Sequence, residues 1–408
     1  MMSWLNSKRL RDYPRLFFIA SWGILIINII FHHGWIGGLT KYLLWGDFVS
    51  YYAAGKLYID DISHLYDLMV QEITQLNIIG STKIIELSIF SYPPNSALAY
   101  SGLTYLPLSL AVIFWCVIAM LCVIIAARLL KQYLIPDWLI HNGFSTFQLS
   151  ILIFSSFAFI EGFEKGQSHS LTLLLIVAIL ITTKREKWFL AGLFAALSTY
   201  KPHFILGFLI LWLVRGKLKA IVSFIGFCLL WNGVVLLTKG IDPYLEWIKL
   251  LNQVPYIPYT SEGFPTSLMA TLFSFIATII PINAASLWNK IFLITAAILL
   301  FSFAIVVYKT KKRPIDDQNI ILAMTMLIPF LVSPHALLHD LLILFPVLLL
   351  FSESQEHRKE VMYLAVGIYI AMLVLPLLGY LLNITLSPII PIAVFIYCIQ
   401  RLVKLLRT

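Results

Sequence analysis

The chain has 408 residues, 60% of them hydrophobic and 12% charged, with a formal net charge of +9. Charged residues stand at about half their usual share and apolar runs recur from end to end, which excludes a soluble globule. The basic excess would suit nucleic acid, but its distribution along the chain points to membrane lipid instead.

These features predict an all-α polytopic membrane protein forming one integral domain over residues 1–408. A basic start leads into an apolar run at about 16–36 that is too long for a cleavable leader and lacks a small-residue cleavage site. The stretch Trp45-Gly46-Asp47-Phe48-Val49-Ser50-Tyr51-Tyr52-Ala53-Ala54-Gly55 follows. Helical from Phe48, it sets Phe48, Tyr51, Tyr52, Gly55 and Ile59 on one face. Such a face suits a helix at the membrane–water boundary, with rings in the apolar layer and hydroxyls among the headgroups. Asp47, at the entry, has two compatible readings. It is an N-cap accepting from the backbone N–H of Val49 or Ser50, or a general base held beside a lipid-borne substrate.

Pro93-Pro94 after Tyr92 is a helix-entry signal. Beyond it, membrane helices are expected at about 108–131, 145–162, 168–183, 188–200, 203–215, 218–238, 286–308, 317–333, 338–351, 360–381 and 386–405, about twelve with the first. Two shorter apolar pieces, 94–105 and 265–280, are expected to be re-entrant or interfacial. Cys116, Cys122, Cys228 and Cys398 all fall in apolar runs, as small buried hydrophobes rather than disulfides or ligands.

With both termini in the cytoplasm, 21 of the 29 basic residues, including every arginine, and only 8 of the 20 acidic ones face inward. That asymmetry sets the orientation and leaves two long outer segments, 37–92 and 239–264. The first is too apolar for disorder and is expected to carry interfacial helices. The second, with Trp247, Tyr256 and Tyr259 between prolines, reads as an ordered surface on the membrane; Glu262 is a site candidate in it.

Three outer junctions carry polar residues. Glu161, Glu164 and Lys165 with Gly166-Gln167-Ser168 read as a solvated hairpin closed by a glycine, with Gln167 retained as a candidate. Lys201-Pro202-His203 lies between helices of about 13 residues, too short to span, so the turn is recessed. There a lysine either snorkels outward or meets an anion, and phosphate suits its compact charge. In Ser333-Pro334-His335-Ala336-Leu337-Leu338-His339-Asp340 the histidines stand at i, i+4. A zinc-protease motif needs Glu where Ala336 stands, and no third ligand is near, so no metal is expected. The group either donates to an anion or forms a helix-end network without chemistry.

Taken in order, GDFxxYYxAG, YPP, GQ before an apolar helix, the LS-TYKP turn and SPHxxxHDLLIL resemble glycosyltransferase family 87, from about Trp45 to Pro346. This family comprises polytopic GT-C enzymes related to polyprenol-phosphate-mannose-dependent mannosyltransferases. The chain departs from the family pattern at Ser168, where Asn often follows the GQ pair. The resemblance implies a GT-C-like fold, Asp47 as general base, and donor-phosphate contacts at Lys201 and His335. His339, Asp340, Tyr51, Tyr52, Gln167 and Glu262 are kept as further candidates. The implied reaction moves a mannose-like hexose from a polyprenyl-phosphate sugar to a lipid or glycan acceptor, outside the bacterial cytoplasmic membrane. It inverts the anomeric centre and uses neither metal nor cofactor; membrane lipids are the other partners, and nucleic acid is none. The alternative is a transporter or lipid flippase. That would place ionisable groups near mid-membrane on broken helices in paired halves, whereas these candidates cluster on one face.

Overall fold

The computed structural model describes residues 7–32, 46–80, 88–141, 143–253, 266–280, 285–311, 315–352 and 358–407. In chain order the helices are α1 (Ser7–His32), α2 (Gly46–Asp60), α3 (Leu68–Ile79), α4 (Pro94–Ser101), α5 (Leu108–Tyr133), α6 (Asp137–His141) and α7 (Thr146–Phe154). Then come α8 (Phe157–Lys165), α9 (His169–Lys184), α10 (Trp188–Leu197), α11 (Leu206–Val214), α12 (Leu218–Lys239) and α13 (Asp242–Leu251). The chain finishes with α14 (Leu272–Ile279), α15 (Ala285–Lys309), α16 (Ile315–Val332), α17 (Leu344–Ser352), α18 (Arg358–Leu382) and α19 (Ile389–Arg407). No strand occurs among the described residues; one isolated bridge joins Met269 to Leu337.

The molecule is a multi-pass membrane protein. Among the described residues, four helices are long and apolar enough to cross a membrane: α5, α12, and the stretches Leu287–Lys309 of α15 and Glu360–Leu382 of α18. The α7–α8 pair makes a fifth if its 66° bend is counted within one span. The run expected as a single helix over 145–162 is thus two. Ser156 starts α8 as its N-cap, its hydroxyl accepting from the Phe159 N–H at 3.2 Å. Ser155 is tied sideways to the Tyr369 hydroxyl at 2.7 Å.

A helix that is apolar all round belongs inside a bundle, and α9 and α16 obey this. Leu173, Val177, Ile179 and Leu180 of α9, like Ile321, Ala323, Leu327 and Phe330 of α16, are fully buried in the main core. The 16-residue α9 is tolerated in this bundle because neighbouring helices, rather than lipid, surround it.

A second apolar cluster caps the bundle. It joins Phe48, Tyr51, Leu57 and Tyr58 of α2 to Leu65, Tyr66, Phe90, Tyr100 and Trp115 of α5. The face of α2 expected to lie among headgroups is therefore an interior face, with Phe48 0% and Tyr51 1% exposed. The cause is the cover laid over it by α4 and the segment 88–93. Gly55 lets α4 approach so closely that a Cβ there would sit 2.8 Å from the Tyr100 carbonyl oxygen. Gln71 of α3 pins the covering segment, accepting from the Phe90 N–H at 2.8 Å and donating to the Phe90 carbonyl at 3.3 Å. The Tyr66 hydroxyl adds a bond to the Tyr92 carbonyl at 2.7 Å.

Candidate active site

The covering segment and the first turn of α2 bring the polar groups together. Asp47 lies inside that turn rather than before it, so it is not the expected side-chain cap; its carboxylate reaches across the fold. Oδ1 accepts from the Ser88 hydroxyl, and Oδ2 accepts from Gln167 Nε2 at 2.7 Å. A carboxylate at a helix N-terminus is also favoured by the helix dipole. Gln167 Oε1 in turn accepts from the Tyr51 hydroxyl at 2.8 Å, and the Tyr51 and Tyr92 hydroxyls lie 2.9 Å apart. Burial pushes the Tyr51 phenol well above its ordinary value, so it stays a neutral donor. Tyr100 stacks on the Tyr51 ring at 4.7 Å and holds it in place.

A second group surrounds Lys201. The turn between α10 and α11 is recessed as expected, with Lys201 7% exposed, but its ammonium is already paired. It lies 2.6 Å from Asp340 Oδ1, while Asp340 Oδ2 accepts from the Leu337 N–H at 3.1 Å. His339 stands between two carboxylates, its Nδ1 2.8 Å from Glu161 Oε2 and its Nε2 3.8 Å from Asp340 Oδ2. Lys165 closes the chain 3.1 Å from Glu161 Oε1. Burying several charges is costly unless each is paired, and here each is.

The two groups adjoin through the α8–α9 turn and through Tyr92. The turn sends Gln167 to Asp47, while Glu161 and His169 face His339, the His169 and His339 rings being 5.8 Å apart. Gly162 makes room for both imidazoles, since a Cβ there would meet His169 Nδ1 at 2.6 Å and His339 Cβ at 2.7 Å. On the other side the Tyr92 ring lies 6.2 Å from that of Tyr200, the neighbour of Lys201. Burial raises the Tyr92 phenol, against the pull of Lys201 and with a further push from Asp47, so both groups act on it.

Three expectations are corrected here. The α8–α9 turn is not a solvated hairpin: Glu161 and Gln167 are 6% and 8% exposed and take part in the network. His335 and His339 do not share a helix face. Residues 333–337 are extended or irregular, Ala336 accepting from the Ala270 N–H at 2.9 Å, and only Leu338–Ile343 forms a 3-10 turn. Pro334 breaks the helical register that the i, i+4 spacing presumed. Tyr52 turns away from the site and donates to the Leu106 carbonyl at 2.8 Å.

His335 remains at hand: its buried Nδ1 finds no hydrogen-bond partner among the described residues. Glu262 lies outside the described residues. Sequence reasoning missed Ser88, Tyr92, Glu161 and His169 as members of the site. Glu161 carried a local signal in its i, i+4 spacing to Lys165 and Tyr92 one in the YPP motif, whereas Ser88 and His169 carried none.

A helical membrane protein with a dense, buried group of acids, bases and tyrosines at one junction is the class that fold and site define. The model of glycosyltransferase family 87 matches residues 90–334, more than half of the chain, including Gln167 and Lys201. The chain belongs to glycosyltransferase family 87 and is a membrane glycosyltransferase acting on a sugar donor and an acceptor. No curated protein and no solved structure matches it.

Proposed function

We propose that this glycosyltransferase moves a mannose-like hexose from a polyprenyl-phosphate sugar to a lipid or glycan acceptor. The reaction takes place at the extracytoplasmic face of the bacterial cytoplasmic membrane, in a single GT-C-like domain of about twelve spans. The observation that carries this reading is that a doubly held carboxylate, Asp47, joins the same buried polar group as the Lys201–Asp340 pair, through Gln167 and the α8–α9 turn on one side and Tyr92 against Tyr200 on the other. One can take a proton while the other faces a departing anion.

Sugars outside the membrane cannot be drawn from cytoplasmic nucleotide pools, so a lipid-borne phosphate is the fitting leaving group. In the step proposed, Asp47 accepts the proton of the acceptor hydroxyl, whose oxygen attacks the anomeric carbon from the face opposite the phosphate. The carbon–oxygen bond to phosphate breaks, polyprenyl phosphate leaves with the electron pair, and the anomeric centre inverts. Lys201 has three N–H donors, and with one engaged by Asp340 the others can meet the phosphate beside the free His335 nitrogen. Preorganised donors of this kind stabilise the developing charge.

The direct test is to mix purified protein with radiolabelled polyprenyl-phosphate mannose and a total lipid extract of bacterial membranes. Label should pass to a new lipid or glycan species. Transfer from a nucleotide sugar but from no polyprenyl-phosphate hexose would overturn the reading.

Two further outcomes are expected. Single cysteines at Asp61 and Asn252 should react with an impermeant thiol reagent in intact cells, following the basic-residue asymmetry. Labelling of either only after permeabilisation would reverse the outer face. Activity should also survive extensive EDTA treatment, as expected from Ala336 standing where a zinc motif needs Glu. A loss restored by Mg²⁺, Mn²⁺ or Zn²⁺ would return His339 and Asp340 to a ligand role.

A further inference from the structure

Gln167 holds one of the two Asp47 carboxylate oxygens, Ser88 the other. Its backbone is set by the turn: Gly166 has φ 72°, a left-handed conformation open to glycine, and the Gln167 N–H donates to the Gly162 carbonyl at 2.8 Å. Trp115 Nε1 donates to the Gly166 carbonyl at 2.8 Å and locks the turn against α5. The two ends of the amide then meet different partners. Nε2 donates to Asp47 Oδ2 at 2.7 Å, and Oε1 accepts from the Tyr51 hydroxyl at 2.8 Å, with the Tyr92 hydroxyl at 3.4 Å. An ionised carboxylate only accepts, so Asp47 takes the N–H end of the Gln167 amide and leaves Oε1 facing Tyr51, whose hydroxyl donates to it and anchors the amide in that orientation.

We propose that Gln167 is a positioning residue for proton transfer: anchored by Tyr51, it holds the Asp47 carboxylate turned toward the acceptor hydroxyl. With Ser88 on the other oxygen, each carboxylate oxygen is held once among the described residues and keeps lone-pair capacity for the incoming hydroxyl. The proposal rests on the reading of Asp47 as the base. A purely structural Gln167 would tie the first outer segment to the α8–α9 turn and have no bearing on how Asp47 handles a proton.

Among the described residues, the titratable and charged groups that interact electrostatically with Asp47 are Tyr51 on its own helix, Tyr92 from segment 88–93, Lys201 from the α10–α11 turn and His335 from the α16–α17 connection. Substitution at Gln167 leaves all four in place, so a change in the pH profile reports on the pair itself. Gln167→Glu sets a second carboxylate against Asp47, and two carboxylates so close share a proton.

The experiment measures single-turnover transfer against pH for the full-length protein in liposomes, with labelled polyprenyl-phosphate mannose and the lipid extract as acceptor. In Gln167→Glu the acid limb should move to higher pH by about one unit or more. Gln167→Ala should transfer up to about 10²-fold more slowly, as a misplaced reacting group does, with KM for the donor unchanged. Tyr51→Phe should show a smaller loss of the same kind, and it serves as the readout if the Gln167 variants fold poorly. A wild-type pH profile in Gln167→Glu, with Gln167→Ala and Tyr51→Phe altered only in thermal stability, would leave Gln167 a structural tie and overturn the proposal. Asp47→Asn run alongside separates the layers. A slow Asp47→Asn with an unmoved Gln167→Glu profile sinks the positioning role alone, whereas a fully active Asp47→Asn sinks the base and the positioning role together.

Discussion

Asp47→Asn should slow the chemical step by about two to four orders of magnitude, the usual contribution of a positioned general base. The variant should still fold. Asparagine keeps the size of the side chain and one acceptor oxygen for Ser88, but it sets an amide N–H against Gln167 Nε2, which now donates to Asp47 at 2.7 Å. That clash of donors costs about 1–2 kcal/mol, so melting temperature should fall only slightly and donor binding should persist. The measurement is single-turnover transfer on protein whose melting curve and donor binding have been checked first. Transfer within a few-fold of wild type would make Asp47 a structural acceptor only, and the base would have to be sought elsewhere on that face.

The second large effect is expected at the Lys201–Asp340 pair, both members nearly buried and 2.6 Å apart. Removing one partner of such a pair leaves the other charge unmet and destabilises by about 3–5 kcal/mol. Lys201→Met should therefore express poorly or melt early, and its lost activity would by itself say little about chemistry. Lys201→Met/Asp340→Asn removes both charges and keeps an acceptor for the Leu337 N–H, so stability should largely return. Transfer should not return if Lys201 has the role proposed for it, because the cation is still missing. Donor affinity in the double variant should be at least about tenfold weaker, as expected for a lost charge-assisted contact. A stable double variant with near-normal transfer would reduce the pair to a structural bridge. Lys165–Glu161–His339 extends the same chain of charges, so substitutions there should not be additive with those at Lys201 and Asp340.

Much of the framework was legible in the sequence. Hydrophobic runs over 108–131, 218–238, 286–308 and 360–381 became α5, α12, α15 and α18 with ends displaced by two residues or fewer. Lys201 was expected in a recessed turn between short helices and is buried in one. The polar turns after α8, α10 and α16 were each singled out, and each contributes to the site. Span length, hydropathy and turn residues are local quantities, and local quantities can be read from a window of the chain.

The roles inside the site could not be read that way. A window around Asp47 offers a cap, and only the folded molecule replaces it by Gln167, 120 residues away. A window around Lys201 offers an anion site, and only packing supplies Asp340, 139 residues on. The spacing of His335 and His339 suggests one helix face, yet Pro334 and the contact of Ala336 with Ala270 pull the segment straight. Glu161 looked solvated because its turn is polar, and it is buried because α8 bends away from α7 and packs against Leu338–Ile343. What the sequence determined by itself is the membrane class, the long spans and the short list of junctions where the buried polar groups meet. Which acid meets which base was decided by tertiary structure alone, because a buried polar group takes whatever partner the neighbouring helices bring within about 3 Å, and hydropathy carries no record of that neighbour.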